Sequence, residues 1–167
     1  MRKQPFALLY LVLFLAVAGC ATTEKIYTTT GEKNLQIEFK GLADSFTEKQ
    51  ASYLYVYDVD PRCQVDYLGY VSLDSPSIKI GIPTGKLLLL TVEFVTAERF
   101  SGSGIRNQYS YLLKPRSGYD YLADVQNTEK RYKFALMERH RGSGAKRVIE
   151  RKGLDSCVPG SRLTPDP

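Results

Sequence analysis

From Leu35 onward, apolar and polar residues alternate with a period of two. Leu35, Ile37 and Phe39 alternate with Gln36, Glu38 and Lys40, the pattern of a strand with one buried face, because successive side chains of a strand point to opposite sides. The alternation recurs at Ile78, Ile80 and Ile82, and again at Tyr132, Phe134 and Leu136. SYLYVYD (52–58) and KLLLLTVEFV (86–95) are apolar on both parities and read as central strands covered on both faces. VDYLGYVSL (65–73), NQYSYLL (107–113) and YDYLADV (119–125) bring the predicted strands to eight. Turn-forming residues separate them at Asp60-Pro61, Asp74-Ser75-Pro76, Pro83-Thr84-Gly85, Ser101-Gly102-Ser103-Gly104 and Lys114-Pro115-Arg116-Ser117-Gly118. KPRSG between two tyrosine-rich strands predicts a hairpin with Gly118 left-handed. The only stretch with helical character is LADSFTEKQA (42–51), weakly amphipathic and readable as a short helix or a loop.

Eight short strands in about 100 residues imply an all-β domain, an antiparallel β-sandwich of about 7–8 strands over residues 35–139, with the immunoglobulin-like arrangement as one solution. Of the tyrosines beyond residue 19, every one but Tyr27 falls in a predicted strand. β-propensity and half-buried packing account for that; an aromatic platform for sugars or peptides is the alternative.

Upstream the pattern is different. Arg2 and Lys3, an apolar run from Phe6 to Leu15, and the small residues Ala16, Ala18 and Gly19 make up the parts of an export signal over residues 1–19. The run is shorter than the roughly 20 apolar residues of a spanning helix. Val17-Ala18-Gly19-Cys20 resembles the lipobox of bacterial lipoproteins, with Val17 where leucine is usual. The resemblance implies cleavage before Cys20, diacylglycerol on its thiol and further acylation such as palmitate. One chain binds a bilayer marginally, whereas two or more hold it stably. Ala21 in place of aspartate implies an outer-membrane, periplasm-facing location under the enteric sorting scheme. Residues 20–34 are polar and read as a flexible linker between lipid and fold.

A second resemblance covers roughly residues 50–139. YLYVYDVD, IKIGIPTGKLLLLTVEF, YLLKPRSGYDYLADV and RYKFALMER are similar to segments of small bacterial envelope lipoproteins with a prealbumin-like (transthyretin-like) sandwich. The shared motifs are structural, so they imply a fold and a location and carry over no catalytic residue.

Charge changes the picture little until the C-terminus. Residues 1–19 hold two basic side chains and no acidic one, so without them the net charge falls from +5 to +3. The segment RHRGSGAKRVIERK (139–152), which leads into a tail read as residues 140–167, is strongly one-signed: Arg139, Arg141, Lys146, Arg147, Arg151 and Lys152 face only Glu150. It reads either as a solvated face or as contact with an anionic envelope component, be it lipid head groups, lipopolysaccharide phosphates or an acidic protein. An exported chain is not expected to meet nucleic acid.

With Cys20 committed to lipid, Cys63 and Cys157 remain as an even pair in an oxidising compartment, and a disulfide follows. Two separate thiols are the alternative. A bridge would close about 95 residues, for which chain entropy gives roughly 4–5 kcal/mol before strain.

Catalytic chemistry has little to stand on. The lone His140 sits between Arg139 and Arg141, no second histidine completes a zinc pattern, and no Gly-x-Ser-x-Gly elbow or Walker spacing occurs. No metal or cofactor is expected. Asp58, Asp60, Asp66 and Asp74 read as turn formers at strand ends, though paired carboxylates could also serve glycoside chemistry or calcium. The expected function is therefore a non-enzymatic, lipid-anchored envelope module. The alternative is a small periplasm-facing hydrolase or carbohydrate-acting enzyme using those aspartates.

Overall fold

A computed structural model describes residues 25–29, 31–40, 48–98, 104–128 and 131–159. Among them the period-two segments form β1 (Leu35–Lys40), β2 (Glu48–Val59), β3 (Val65–Ser72), β4 (Ser77–Ile80), β5 (Leu88–Glu98), β6 (Gly104–Leu113), β7 (Tyr119–Thr128) and β8 (Arg131–His140). A ninth strand, β9 (Lys146–Val148), precedes a single 3-10 turn at Leu154–Ser156.

The strands make two packed sheets, ordered β4-β1-β7-β8-β9 and β3-β2-β5-β6. Every ladder is antiparallel except β1 on β7. The fold is the expected all-β sandwich. Its strand order differs from the immunoglobulin one, which places A-B-E-D in one sheet and C-F-G in the other.

The core is built by the alternating positions. Leu35, Ile37 and Phe39 of β1 and Tyr121, Ala123 and Val125 of β7 meet Leu54 and Val56 of β2 and Leu90, Val92 and Phe94 of β5. Phe94 lies flat on Tyr132 of the facing sheet, centroids 4.3 Å apart and planes 6° from parallel, and receives the edges of Phe39 and Tyr109.

Tyrosines also satisfy an edge. β9 covers only Met137–Arg139 of β8, which leaves earlier β8 carbonyls in need of donors. The Tyr109 hydroxyl donates to the Tyr132 carbonyl, that of Tyr111 to the Phe134 carbonyl at 3.1 Å, and the Ile149 N–H to the Leu136 carbonyl at 2.8 Å. The sheets are thereby tied by hydrogen bonds as well as by apolar contact.

Four expectations change. First, Lys114–Gly118 is not a hairpin: β6 pairs with β5, whereas β7 pairs with β1 and β8, so the turn carries the chain from one sheet to the other. Gly118 does adopt the left-handed conformation, at φ 80°. Second, Glu48–Ala51 of the helix-or-loop segment belong to β2, and the remainder lies outside the described residues. Third, β2 and β5 are central, but among the described residues no further layer of strands or helices lies on their outer face, which carries the half-buried rings of Tyr53, Tyr55 and Tyr57 on β2.

Fourth, the described part of the segment read as a flexible linker, residues 25–29 and 31–34, is docked. Ile26 bridges Tyr70 in parallel, with the Tyr27 N–H donating to the Tyr70 carbonyl at 2.8 Å and the Tyr70 N–H to the Lys25 carbonyl at 2.9 Å. The Tyr27 hydroxyl reaches inward to the Gly81 carbonyl at 2.9 Å. Asn34, 5% exposed, clamps Ile82 by donating to its carbonyl at 3.0 Å and accepting its N–H at 2.8 Å. Gly69 makes room for the docked segment: its φ is +142°, beside a β3 bulge, and a Cβ there would stand 2.7 Å from Tyr27 Cα. Gly69→Ala is expected to cost about 1–3 kcal/mol and to release the segment. Amide exchange checks it: Tyr27 and Tyr70 should lose protection together, and unchanged protection would refute the steric argument.

Candidate functional site

As far as residue 159, the C-terminal tail is part of the fold. Beyond β9 it crosses from the five-stranded sheet to the four-stranded one. There the Leu112 N–H donates to the Lys152 carbonyl at 2.8 Å, and Arg151 donates to the Gln108 carbonyl at 3.1 Å while its guanidinium lies 4.8 Å from the Tyr109 ring centre. The strap ends at Cys157, bonded to Cys63 with Cα atoms 5.9 Å apart; that separation is ordinary for a disulfide. The even-cysteine reading thus corresponds to a real pair.

Cys63 occupies the left-handed region at φ 63°. Asp60 holds its turn, the Oδ1 accepting the N–H groups of Arg62 and Gln64, each at 2.8 Å. These bonds, that to Gln64 foremost, keep the carboxyl below its usual range. Asp58 pairs with Lys86 at 3.0 Å and stands opposite Asp66 across the β2–β3 ladder, while Asp74 lies in the β3–β4 turn beside Ser75. Among the described residues, no group of three or more His, Cys, Asp or Glu side chains could hold a metal ion.

The basic run is distributed over internal partners. Arg139 and Arg141 grip the two oxygens of Asp120 at 2.9 and 2.7 Å, and Arg141 also meets Glu32. The hydrogen bond from Arg139, then that from Arg141, holds the Asp120 carboxyl below its usual range. Arg147 contacts Glu138 at 2.8 Å, and Lys152 contacts Glu150 at 3.2 Å. Lys146 is exposed at the start of β9. His140 ends β8; its Nδ1 accepts the Ser143 N–H at 3.1 Å, and its ring packs on Tyr119 at 4.9 Å.

Strap and sandwich enclose a cleft of about 730 Å³ between the Lys114–Ser117 turn, the ends of β6 and β8, and residues 147–156. Its centre is Glu138, 6% exposed, whose Oε1 receives Arg116 at 2.6 Å and Arg147 at 2.8 Å. Two guanidiniums on one carboxylate satisfy a charge that would be costly to bury alone. The Arg116 N–H donates to the buried Tyr121 hydroxyl at 2.8 Å, and its guanidinium lies 4.0 Å from the Tyr119 ring centre. With Lys114 and Lys152 on the rim and Leu112, Leu113 and Ile149 beneath, the cleft has an apolar floor and four cations against Glu138 and Glu150. The sequence did not point to Arg116, Glu138 or Tyr121 as site residues; only the Lys114–Gly118 turn signal marked the neighbourhood.

A second surface is the outer face of β2 and β3. Tyr53, Tyr55, Tyr57, Tyr67 and Tyr70 form a continuous set of rings with centroids 5.3–6.5 Å apart. Beside them Glu93, 7% exposed, accepts the Tyr55 hydroxyl at 3.1 Å and meets Arg106 at 3.1 Å. Burial first, and the bond to Glu93 second, push the Tyr55 hydroxyl up to about 12.

Cys20 and residues 1–19, read as an export signal, lie outside the described residues. No protein-family model matches the sequence, and neither the curated proteins nor the solved structures give a significant match.

Proposed function

We propose that this chain is a non-enzymatic, lipid-anchored envelope protein of prealbumin-like type, held to the outer membrane through Cys20 and facing the periplasm as an interaction module. The observation that carries the reading is Val17-Ala18-Gly19-Cys20, at the end of an apolar run and five residues before the first docked residue of the sandwich. Two features support the module. A disulfide-closed strap suits an oxidising compartment, and the cation-rimmed cleft offers an anionic envelope component a charged rim over an apolar floor. Exposed Lys146 and Lys152 of the tail, with Lys114 of the turn, are then the cations that partner would meet, since Arg139 and Arg141 are occupied by Asp120 and Arg116 and Arg147 by Glu138. Asp58 is paired with Lys86 and Asp60 holds its own turn, which favours the turn-former reading of the aspartates over the hydrolase alternative.

Metabolic labelling with a clickable fatty acid tests the anchor. Wild type is expected to incorporate label and to migrate as the form cleaved before Cys20; Cys20→Ala should lose both. Equal labelling of the two would overturn the reading.

A further inference from the structure

We propose that the outer tyrosine face of β2 and β3 lies against the bilayer that carries the lipid anchor, so that the sandwich rests on the membrane by this face. The inference rests on the anchor reading and adds an orientation and a contact surface to it.

The tether is short. From Cys20 to Lys25 there are five Cα steps, a span of at most roughly 18 Å, and from Lys25 the chain is bonded to the β3 edge. The β3 edge is therefore the part of the sandwich that a lipid on Cys20 holds nearest the bilayer. The cleft opens beside β6 and β9, and the strap that bounds it runs from there to Cys63 in the β2–β3 turn.

The chemistry of the near side fits an interface. Residues paired across a bridge point to one face, so Ile26 stands on the same side as Tyr70, and Val65, opposite Val59, on the same side as Tyr57 and Tyr67. Ile26 is 70% exposed and Val65 45%. Two exposed aliphatic side chains beside five half-buried tyrosines present apolar area with polar tips, the composition found where protein meets the headgroup region. The acidic side chain within this face, Glu93, is matched by Arg106 and Tyr55. Lys25, exposed at the same edge, brings a cation toward anionic head groups.

The chain has no tryptophan, so a single indole reports its own surroundings. Full-length Ile26→Trp, Val65→Trp and Lys133→Trp variants, the last on the outer face of the other sheet, are purified from membranes. They are then reconstituted into phosphatidylethanolamine–phosphatidylglycerol vesicles carrying a shallow doxyl-labelled phospholipid. Positions 26 and 65 should lose most of their emission to the doxyl lipid and be shielded from aqueous iodide, whereas position 133 should show the reverse. Quenching of 26 and 65 by iodide at the level of 133 would place the face in water and overturn the proposal. Protection of both from either quencher would mean a protein, such as a second copy, covers it, and would overturn it equally. Mass spectrometry of the same preparation reads acylation of Cys20 separately: an acylated chain with iodide-exposed 26 and 65 defeats the orientation alone, and an unacylated chain defeats the anchor.

Discussion

Replacing Phe94 with alanine is expected to lower the unfolding free energy by about 3–5 kcal/mol, the range for emptying a buried phenylalanine site. Phe94 is fully buried. It joins three other strands at once, through the stack on Tyr132 of β8 and the edge contacts of Phe39 on β1 and Tyr109 on β6. Little around it can collapse into the space, because Tyr132 and Tyr109 are themselves held by hydrogen bonds, the Tyr132 hydroxyl to Thr96 Oγ1 at 3.3 Å and the Tyr109 hydroxyl to the Tyr132 carbonyl. A fall in melting temperature on the order of 10–20 °C corresponds to such a loss in a domain of this size. Phe94→Leu, which keeps most of the volume, should recover more than half of it. Denaturant titration of the three proteins decides the matter, and a loss below about 1 kcal/mol for the alanine variant would contradict the packing described.

Removing the bridge, as Cys63→Ser with Cys157→Ser, should cost about 2–5 kcal/mol, typical of deleting a native disulfide from a small domain. The cysteines are separated by 94 residues, so the unfolded chain gains much freedom when the closure is lost. The native state should respond locally, because both sheets hold together through their own ladders and core. The strap between β9 and residue 157 depends on the bridge, on the Leu112–Lys152 hydrogen bond and on Arg151. Hydrogen exchange should therefore speed at the Leu112 N–H while the Leu90 and Val92 amides of β5 stay slow. Leu112 protection unchanged in the double variant would show that the strap docks without the staple. Alkylation of both cysteines in the unreduced native protein would remove the bridge itself from the account.

What the amino-acid sequence determined by itself was the local content of the fold. A period of two is imposed by strand geometry alone, and so β1 through β8 were legible wherever one parity is buried and the other wet, as in Leu35–Lys40. The pairing of Cys63 with Cys157 was legible by counting, since reading Cys20 as the lipid attachment site left one partner for each. The tertiary structure decided everything that depends on which surfaces meet. Lys146–Val148 are all exposed and carry no alternation, so β9 exists only because β8 offers it an edge. Gly118 allowed a turn, but the partners of β7 were settled by burying Tyr121 and Ala123 between sheets, which made the turn a crossing between layers. The docking of Ile26 and Tyr27 needed the bulge and missing Cβ at Gly69, more than forty residues away in sequence. The cleft is the clearest case: Arg116, Glu138 and Arg147 lie on separate segments, and charge compensation around a buried carboxylate is a property of their meeting that no one segment expresses.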